Sequence, residues 1–245
     1  MLSMLVTRPE PDASETALRL AAIDIGAIKA PLLHFESLLT TTLPAPGGFA
    51  AVAATSANGL RALRDRGEVH HFRHLPVYAV GERTASVARE LGFAQVSSAA
   101  GNLGALVELI SVAGLSGPIF YPAARHQSGD LARALAPHGI MVITAPVYTM
   151  VAADRLDEAV LAALEGGGVA AALFYSQRTA QVFVSIVDSK IGPNAKRNLG
   201  LLCLSEQVAA PLVDAHFVRI GLADHPSEEA MMSLALSFAR DQNPA

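Results

Sequence analysis

Residues 47–58 read GGFAAVAATSAN and residues 167–178 read GGVAAALFYSQR, an offset of 120 positions. Five of the twelve aligned pairs are identical: two glycines, two alanines, and Ser56 with Ser176. Each copy runs from a Gly-Gly turn through a short apolar stretch to a serine able to cap a helix. That is the pattern of a buried strand feeding a helix on a parallel sheet. The surrounding segments repeat in the same order. SETALRLAAIDIGAIKAP (14–31) resembles SGDLARALAPHGIMVITAP (128–146), and VYAVGERTASVARELG (77–92) resembles LLCLSEQVAAPLVDAH (201–216). AGNLGALVELI (100–110) likewise resembles DHPSEEAMMSLAL (224–236). Two copies are too few for a solenoid, so two similar α/β lobes are the simpler outcome.

Working outward from these blocks, ten short apolar runs read as strands, at 2–6, 27–31, 51–54, 77–80, 95–98, 118–121, 141–144, 170–174, 201–204 and 217–220. Helix-period segments lie between them. Asp12 with Glu15 reads as a capping-box variant opening a helix through Ala22, Asn102 as a helix start, Gly92 as a stop, and Pro226-Ser227 as a start followed by two acidic residues. Segments 32–39 and 147–152 follow equivalent strands; both are apolar and β-favouring with proline nearby. If both cross between lobes, the first domain is discontinuous, 1–35 with 151–245. The second, 36–150, is inserted and includes the linker strands. Each then receives five strands, as in a flavodoxin-like sheet. The expected fold class is therefore α/β, two similar parallel-sheet domains joined by a two-stranded linker.

Composition narrows the function. Apolar residues make up 51% of the 245 positions, but aromatics only 5% and Trp none, so the core is built from small aliphatics. Net charge is −4 and no basic run occurs, which argues against nucleic acid or a polybasic membrane surface as partner. Anionic small molecules stay possible, because free N–H groups at helix starts bind anions without net positive charge. Cys203 is the single cysteine, in an apolar run, and reads as a buried small hydrophobe. The N-terminus carries no secretion signal and no stretch is long enough to span a bilayer, so a cytoplasmic protein is expected. His70, His71 and His74 lie in a loop-like stretch without converging carboxylates, and no metal site is read there.

The landmarks VTRP (6–9), TSANGL (55–60), YAVGERTA (78–85), SSAAGNLGALVELI (97–110), YPAAR (121–125) and PVYTMV (146–151) occur in an order and spacing that resembles the uroporphyrinogen-III synthases. The resemblance covers nearly the whole chain. It implies two α/β lobes with the substrate, hydroxymethylbilane, in the cleft between them. The implied reaction loses water from the terminal hydroxymethyl group, inverts the last pyrrole through a spirocyclic intermediate and closes the ring. It implies a monomer that uses no metal or organic cofactor, with a possible handover of substrate from the preceding deaminase. The sequence is consistent with such chemistry: it holds no Ser–His–Asp pattern, HExxH, Walker loop or CxxC. An unassisted bilane closes to the uninverted isomer, so the catalyst must mainly choose geometry, and near-attack alignment can supply roughly 7–11 kcal/mol in well-aligned cases.

The resemblance also points to residues. Tyr148, in PVYT, matches the family tyrosine that faces the cleft and assists departure of the hydroxyl; otherwise it is a linker tyrosine packing between lobes. Thr55, Ser56 and Asn58 follow a strand and open a helix, a position for holding carboxylates or for simple N-capping. Ser176 and Gln177 are their repeat equivalents. Gly81, Arg83 and Thr84 form another strand-to-helix turn, where the family brings its backbone close to the ligand. Ser205 and Gln207 are the counterpart, and here Gln207-Val208 departs from the hydroxyl-bearing family pattern. Arg8 ends the first strand and can pair with a ligand carboxylate or with Glu10 or Asp12; Arg125 follows Tyr121-Pro122 as its parallel. Two rival readings remain. One is a bilobal binding or sensor domain without catalysis. The other, a flavin or dinucleotide oxidoreductase, lacks GxGxxG after the first strand.

Overall fold

The structure, a computed structural model, describes residues 2–127 and 129–242. Ser128, at the head of one repeat segment, lies outside them. Among the described residues, the strands are β1 (Ser3–Val6), β2 (Gly26–Lys29), β3 (Leu33–Ser37), β4 (Ala51–Ala54), β5 (Val77–Ala79), β6 (Val96–Ser98), β7 (Ile119–Ala124), β8 (Val142–Ala152), β9 (Ala171–Phe174), β10 (Gly200–Cys203) and β11 (Ile220–Leu222). The helices are α1 (Asp12–Ala21), α2 (Ala57–Asp65), α3 (Glu82–Glu90), α4 (Leu103–Ser111), α5 (Leu131–Leu135), α6 (Glu158–Glu165), α7 (Gln177–Val187), α8 (Pro193–Asn198), α9 (Glu206–Asp214) and α10 (Glu228–Gln242).

The chain divides into two units, Met1–His34 with Val151–Ala245, and Phe35–Met150. One sheet has the order β11-β10-β9-β1-β2, the other β3-β8-β7-β4-β5-β6. The ladders β1–β2, β1–β9, β9–β10, β10–β11, β4–β5, β4–β7, β5–β6 and β7–β8 are all parallel. Their register reproduces the sequence repeat. Leu5 stands opposite Ile28 and Ala172, while Phe120 stands opposite Ile143 and Val52. Thus β7, β8, β4, β5 and β6 take the places of β1, β2, β9, β10 and β11. Both copies have the flavodoxin-like order 2-1-3-4-5, and the second enters at its third strand.

Three sequence expectations shift. The second sheet has six strands rather than five, because β3 joins it beside β8. The strand expected at 217–220 lies instead at Ile220–Leu222: Phe217 is buried in the core, 6.1 Å from the Phe183 ring, rather than in the ladder. The N-cap of α1 is Pro11, with no side-chain cap bond, because the Asp12 carboxylate is drawn to Arg8.

Strands β4, β9 and β10 are buried on both faces, which is why they are built from Ala, Val, Leu, Gly, Cys and Phe without alternation. Burial pushes the Cys203 thiol up to about 12, so it stays protonated and inert. In the second unit a phenylalanine cluster fills the layer beneath α2. Phe72 stacks on Phe120 at 4.4 Å, and Phe49 lies 5.3 Å from Phe120.

Gly59 fixes how closely α2 approaches the sheet. A Cβ there would fall 2.2 Å from the Pro122 carbonyl oxygen of β7, a backbone atom unable to swing aside. Gly59→Ala is expected to destabilise the protein by about 2 kcal/mol through overpacking, read as a lower urea midpoint with unchanged slope.

Candidate functional site

At the carboxyl ends of β4, β7 and β8 the second unit contains a cavity of about 360 Å³. Thr55, Ser56, Gly101, Asn102, Tyr121 and Tyr148 are among the residues that line it. The location follows from topology. In this strand order the connections diverge between the first and third strands, here β7 and β4, and the crevice opens there.

Each lining group is placed by a local rule. Ser56 has extended backbone and caps α2, its Oγ accepting from the Asn58 N–H at 3.2 Å. Asn102 caps α4, its Oδ1 accepting from the Ala105 N–H at 2.9 Å. Two nine-residue helices, α2 and α4, therefore start at the cavity, where their N–H groups and dipoles favour carboxylates. Gly101 adopts a positive φ of 91°, and its N–H donates to the Val80 carbonyl at 2.8 Å.

Tyr148 reaches the cavity because of a bulge. Ala123 pairs with Pro146 but Ala124 pairs with Tyr148, so Val147 is the extra residue and β8 twists at this point. The Arg125 N–H donates to the Tyr148 carbonyl at 2.8 Å and the Leu38 N–H to the Val147 carbonyl at 2.7 Å, which hold the bulge on both sides. The Tyr148 ring is buried, 5.6 Å from Phe35. Burial raises its phenol pKa, and a hydrogen bond with Ser56 pulls more weakly the other way. Tyr121 is raised too, first by burial, against a hydrogen bond with Thr55. The Thr55 and Tyr121 hydroxyl oxygens are 2.6 Å apart.

The residues singled out from sequence divide into two groups. Thr55, Ser56 and Tyr148 meet in the cavity. Asn58 lies just behind: its amide nitrogen approaches the Met150 sulfur at 3.7 Å and its oxygen accepts from Arg61 at 3.0 Å. Gly81 caps α3 without a side chain, and the position of a Cβ on it lies 3.4 Å from the Gly101 Cα. Thr84 is buried in the first turn of α3, and Arg83 and Arg125 are exposed. By ladder register Arg8 corresponds to Ala123, so Arg125 stands two residues beyond the position parallel to it.

Arg8, Ser176, Gln177, Ser205 and Gln207 belong to the other unit. Ser176 caps α7 through the Thr179 N–H at 3.2 Å, and Ser205 caps α9 through the Val208 N–H at 3.4 Å. Gln177 is half-buried and Gln207 exposed. At the crevice between β1 and β9, Arg8 donates to Asp12 at 2.8 Å, to Thr16 at 3.2 Å and to Glu228, and its guanidinium stacks 4.1 Å from the Tyr175 ring centre. Tyr175 occupies the place that Thr55 holds in the second unit.

Sequence reasoning missed Tyr121 as a lining residue. It sits inside the apolar run IFYPAA and reads there as core; only its pairing with Thr55 across the β7–β4 crevice marks it out. Among the described residues no group of three His, Cys, Asp or Glu side chains is placed to hold a metal ion, and no helix is long and apolar enough to cross a membrane.

In fold, the chain is similar to the uroporphyrinogen-III synthetase of Helicobacter pylori, with a TM-score of 0.67 at 20% identity over 97% of this chain and 99% of that one. It is also similar to a mutant uroporphyrinogen III synthase of the extremely thermophilic bacterium Thermus thermophilus, with a TM-score of 0.57 at 16% identity over the whole of both chains. Among curated proteins none matches significantly in sequence. A family model described as uroporphyrinogen-III synthase HemD matches residues 14–233. With the model spanning all but the chain's two ends, and the two-sheet fold in agreement, the chain belongs to the uroporphyrinogen-III synthase family.

Proposed function

We propose that this chain is a hydro-lyase that cyclises hydroxymethylbilane to uroporphyrinogen III, with the cavity of the Phe35–Met150 unit as the seat of its chemistry. The observation that carries the reading is the Tyr148 phenol, buried, beside Ser56 and open to a cavity at which two helices begin. The substrate carries eight carboxylates. Those entering the cavity meet the amides at the starts of α2 and α4, supplemented by Thr55 and by the turn at Gly81–Thr84.

The Tyr148 hydroxyl gives its proton to the departing hydroxymethyl oxygen, which leaves as water while the pyrrole nitrogen lone pair fills the electron demand at carbon. The last pyrrole attacks this centre through its already substituted α-carbon, giving a spirocycle. The bond from that carbon to its original bridge then breaks, and the ring turns over. Its free α-carbon bonds to the released bridge carbon and sheds its proton as aromaticity returns, and that proton restores the phenol. No net acid or base is consumed. Holding the terminal pyrrole so that inversion precedes closure is a matter of orientation.

The protein acts in the cytoplasm as a monomer and receives its short-lived substrate from the deaminase that makes it. An assay supplying porphobilinogen and that deaminase tests the reading. Isomer III is expected to predominate, separated from isomer I after oxidation to porphyrin. Isomer I alone, at any concentration of this protein, would return the chain to the binding-domain reading.

A further inference from the structure

Two phenols face one cavity, and consecutive residues of a single turn line it with them. The Thr55 and Tyr121 hydroxyl oxygens lie 2.6 Å apart, and Ser56 shares the cavity wall with Tyr148. The turn is fixed on its helix side, where Ser56 accepts from the Asn58 and Gly59 N–H groups, but not by the strand ladders. The β4–β7 ladder ends at the Val52–Phe120 pair and the β4–β5 ladder at the Ala54–Ala79 pair, so Thr55 lies beyond both. Tyr121, by contrast, sits in the β7–β8 ladder opposite Thr144 and is 4% exposed. It is a ladder residue reaching across the crevice to one just beyond the ladder ends.

We propose that Tyr121 is a positioning residue for the ring closure: through Thr55 it pins the 55–56 turn, and through Ser56 it sets the orientation of the Tyr148 phenol. The inference rests on the reading of Tyr148 as proton donor. The device belongs to the second unit alone. In the other unit the ladder places Val6 where Tyr121 stands and Tyr175 where Thr55 stands, so no equivalent hydroxyl pair forms there.

A double-mutant cycle tests this, with Tyr121→Phe, Tyr148→Phe and the double variant compared by kcat and KM after each is shown to melt cooperatively. Tyr121→Phe is expected to lower kcat about tenfold, within the range of coupling between residues of one hydrogen-bonded network, and to leave KM within about twofold. In the Tyr148→Phe background the same change is expected to have no further effect on kcat. Thr55→Val, which removes the bond from its other end, is expected to reproduce the loss.

A second readout is independent of turnover. The chain has four tyrosines and no tryptophan, so the ultraviolet titration of Tyr148 is obtained as a difference between paired variants. That titration is expected to move when Tyr121 is replaced. Losses that simply multiply in the double variant, or a kinetically silent Tyr121→Phe beside a slow Tyr148→Phe, overturn the positioning role while leaving the donor reading intact. A silent Tyr148→Phe overturns both.

Discussion

Tyr148→Phe is expected to lower kcat on the order of 10²-fold, the lower end of what a positioned general acid contributes, with KM little changed. The substitution removes one oxygen and keeps the ring that packs against Phe35, so the fold and cavity shape persist. What goes is the proton at the point where hydroxide would otherwise have to leave unaided. The pH dependence follows from the direction of the shift. An ordinary tyrosine titrates near 10. Burial raises Tyr148 above that, so the phenol keeps its proton throughout the neutral and mildly alkaline range. The wild-type rate should therefore show no decline attributable to this group below about pH 10. A steady loss of kcat between pH 7 and 9 that disappears in Tyr148→Phe would contradict a raised pKa. The same direction bears on stability. A phenol raised in the folded state contributes stability that is intact below the unfolded-state value and is lost as pH climbs through the folded one. Tyr121, Tyr148 and Tyr175 are all raised, chiefly by burial, so the fold should weaken on the alkaline side of about pH 10.

Arg8→Met is expected to cost about 3 kcal/mol of stability, the lower end of the loss when one partner of a buried ion pair is removed. Its side chain is 14% exposed and the carboxylates of Asp12 and Glu228 are each 20% exposed, so water does little to screen them. With Arg8 gone, the Asp12 and Glu228 carboxylates at the starts of α1 and α10 lose the guanidinium they share, and Thr16 and Tyr175 lose a partner. The methionine stem keeps most of the packing, so the loss isolates the charge. Urea unfolding of the two proteins measures it. Arg8→Lys should recover only part, because an ammonium cannot serve Asp12, Glu228 and Thr16 in one plane and stack on Tyr175 as well. An unchanged urea midpoint together with a raised KM would instead assign Arg8 to a substrate carboxylate.

These two residues also show where sequence reading stops. The paired blocks at Gly47 and Gly167 carry enough hydrophobic pattern and capping chemistry to set out a doubled α/β architecture, because strand burial and helix starts depend on neighbours a few positions apart. Ser56, Ser176, Ser205 and Asn102 cap helices as their positions predict, since a cap needs only its own next two or three amides. Fold class follows from that local grammar repeated in order, and the family from the resemblance of landmark motifs such as TSANGL and YAVGERTA. Local grammar fails where a side chain chooses a distant partner. Asp12 pairs with Arg8 four positions earlier, a partner the sequence offers, but Glu228, 220 residues from Arg8, joins the same guanidinium only in the folded chain.

Tyr148 was legible as a residue of interest, but its aim was not. That depends on one extra residue in β8 opposite Ala123–Ala124, and a bulge leaves no mark in a run as uniformly β-favouring as VITAPVYTMVA. Tyr121 was invisible as a site residue because apolar flanks read as core until β4 is laid beside β7. The amino-acid sequence alone thus determined the two-fold repeat and most strand and helix positions, governed by short-range periodicity, and pointed to the family through motif resemblance. Only the tertiary structure decided which hydroxyls share a cavity and which charges neutralise one another, because those pairings are set by sheet order and register, which bring together residues far apart in the chain.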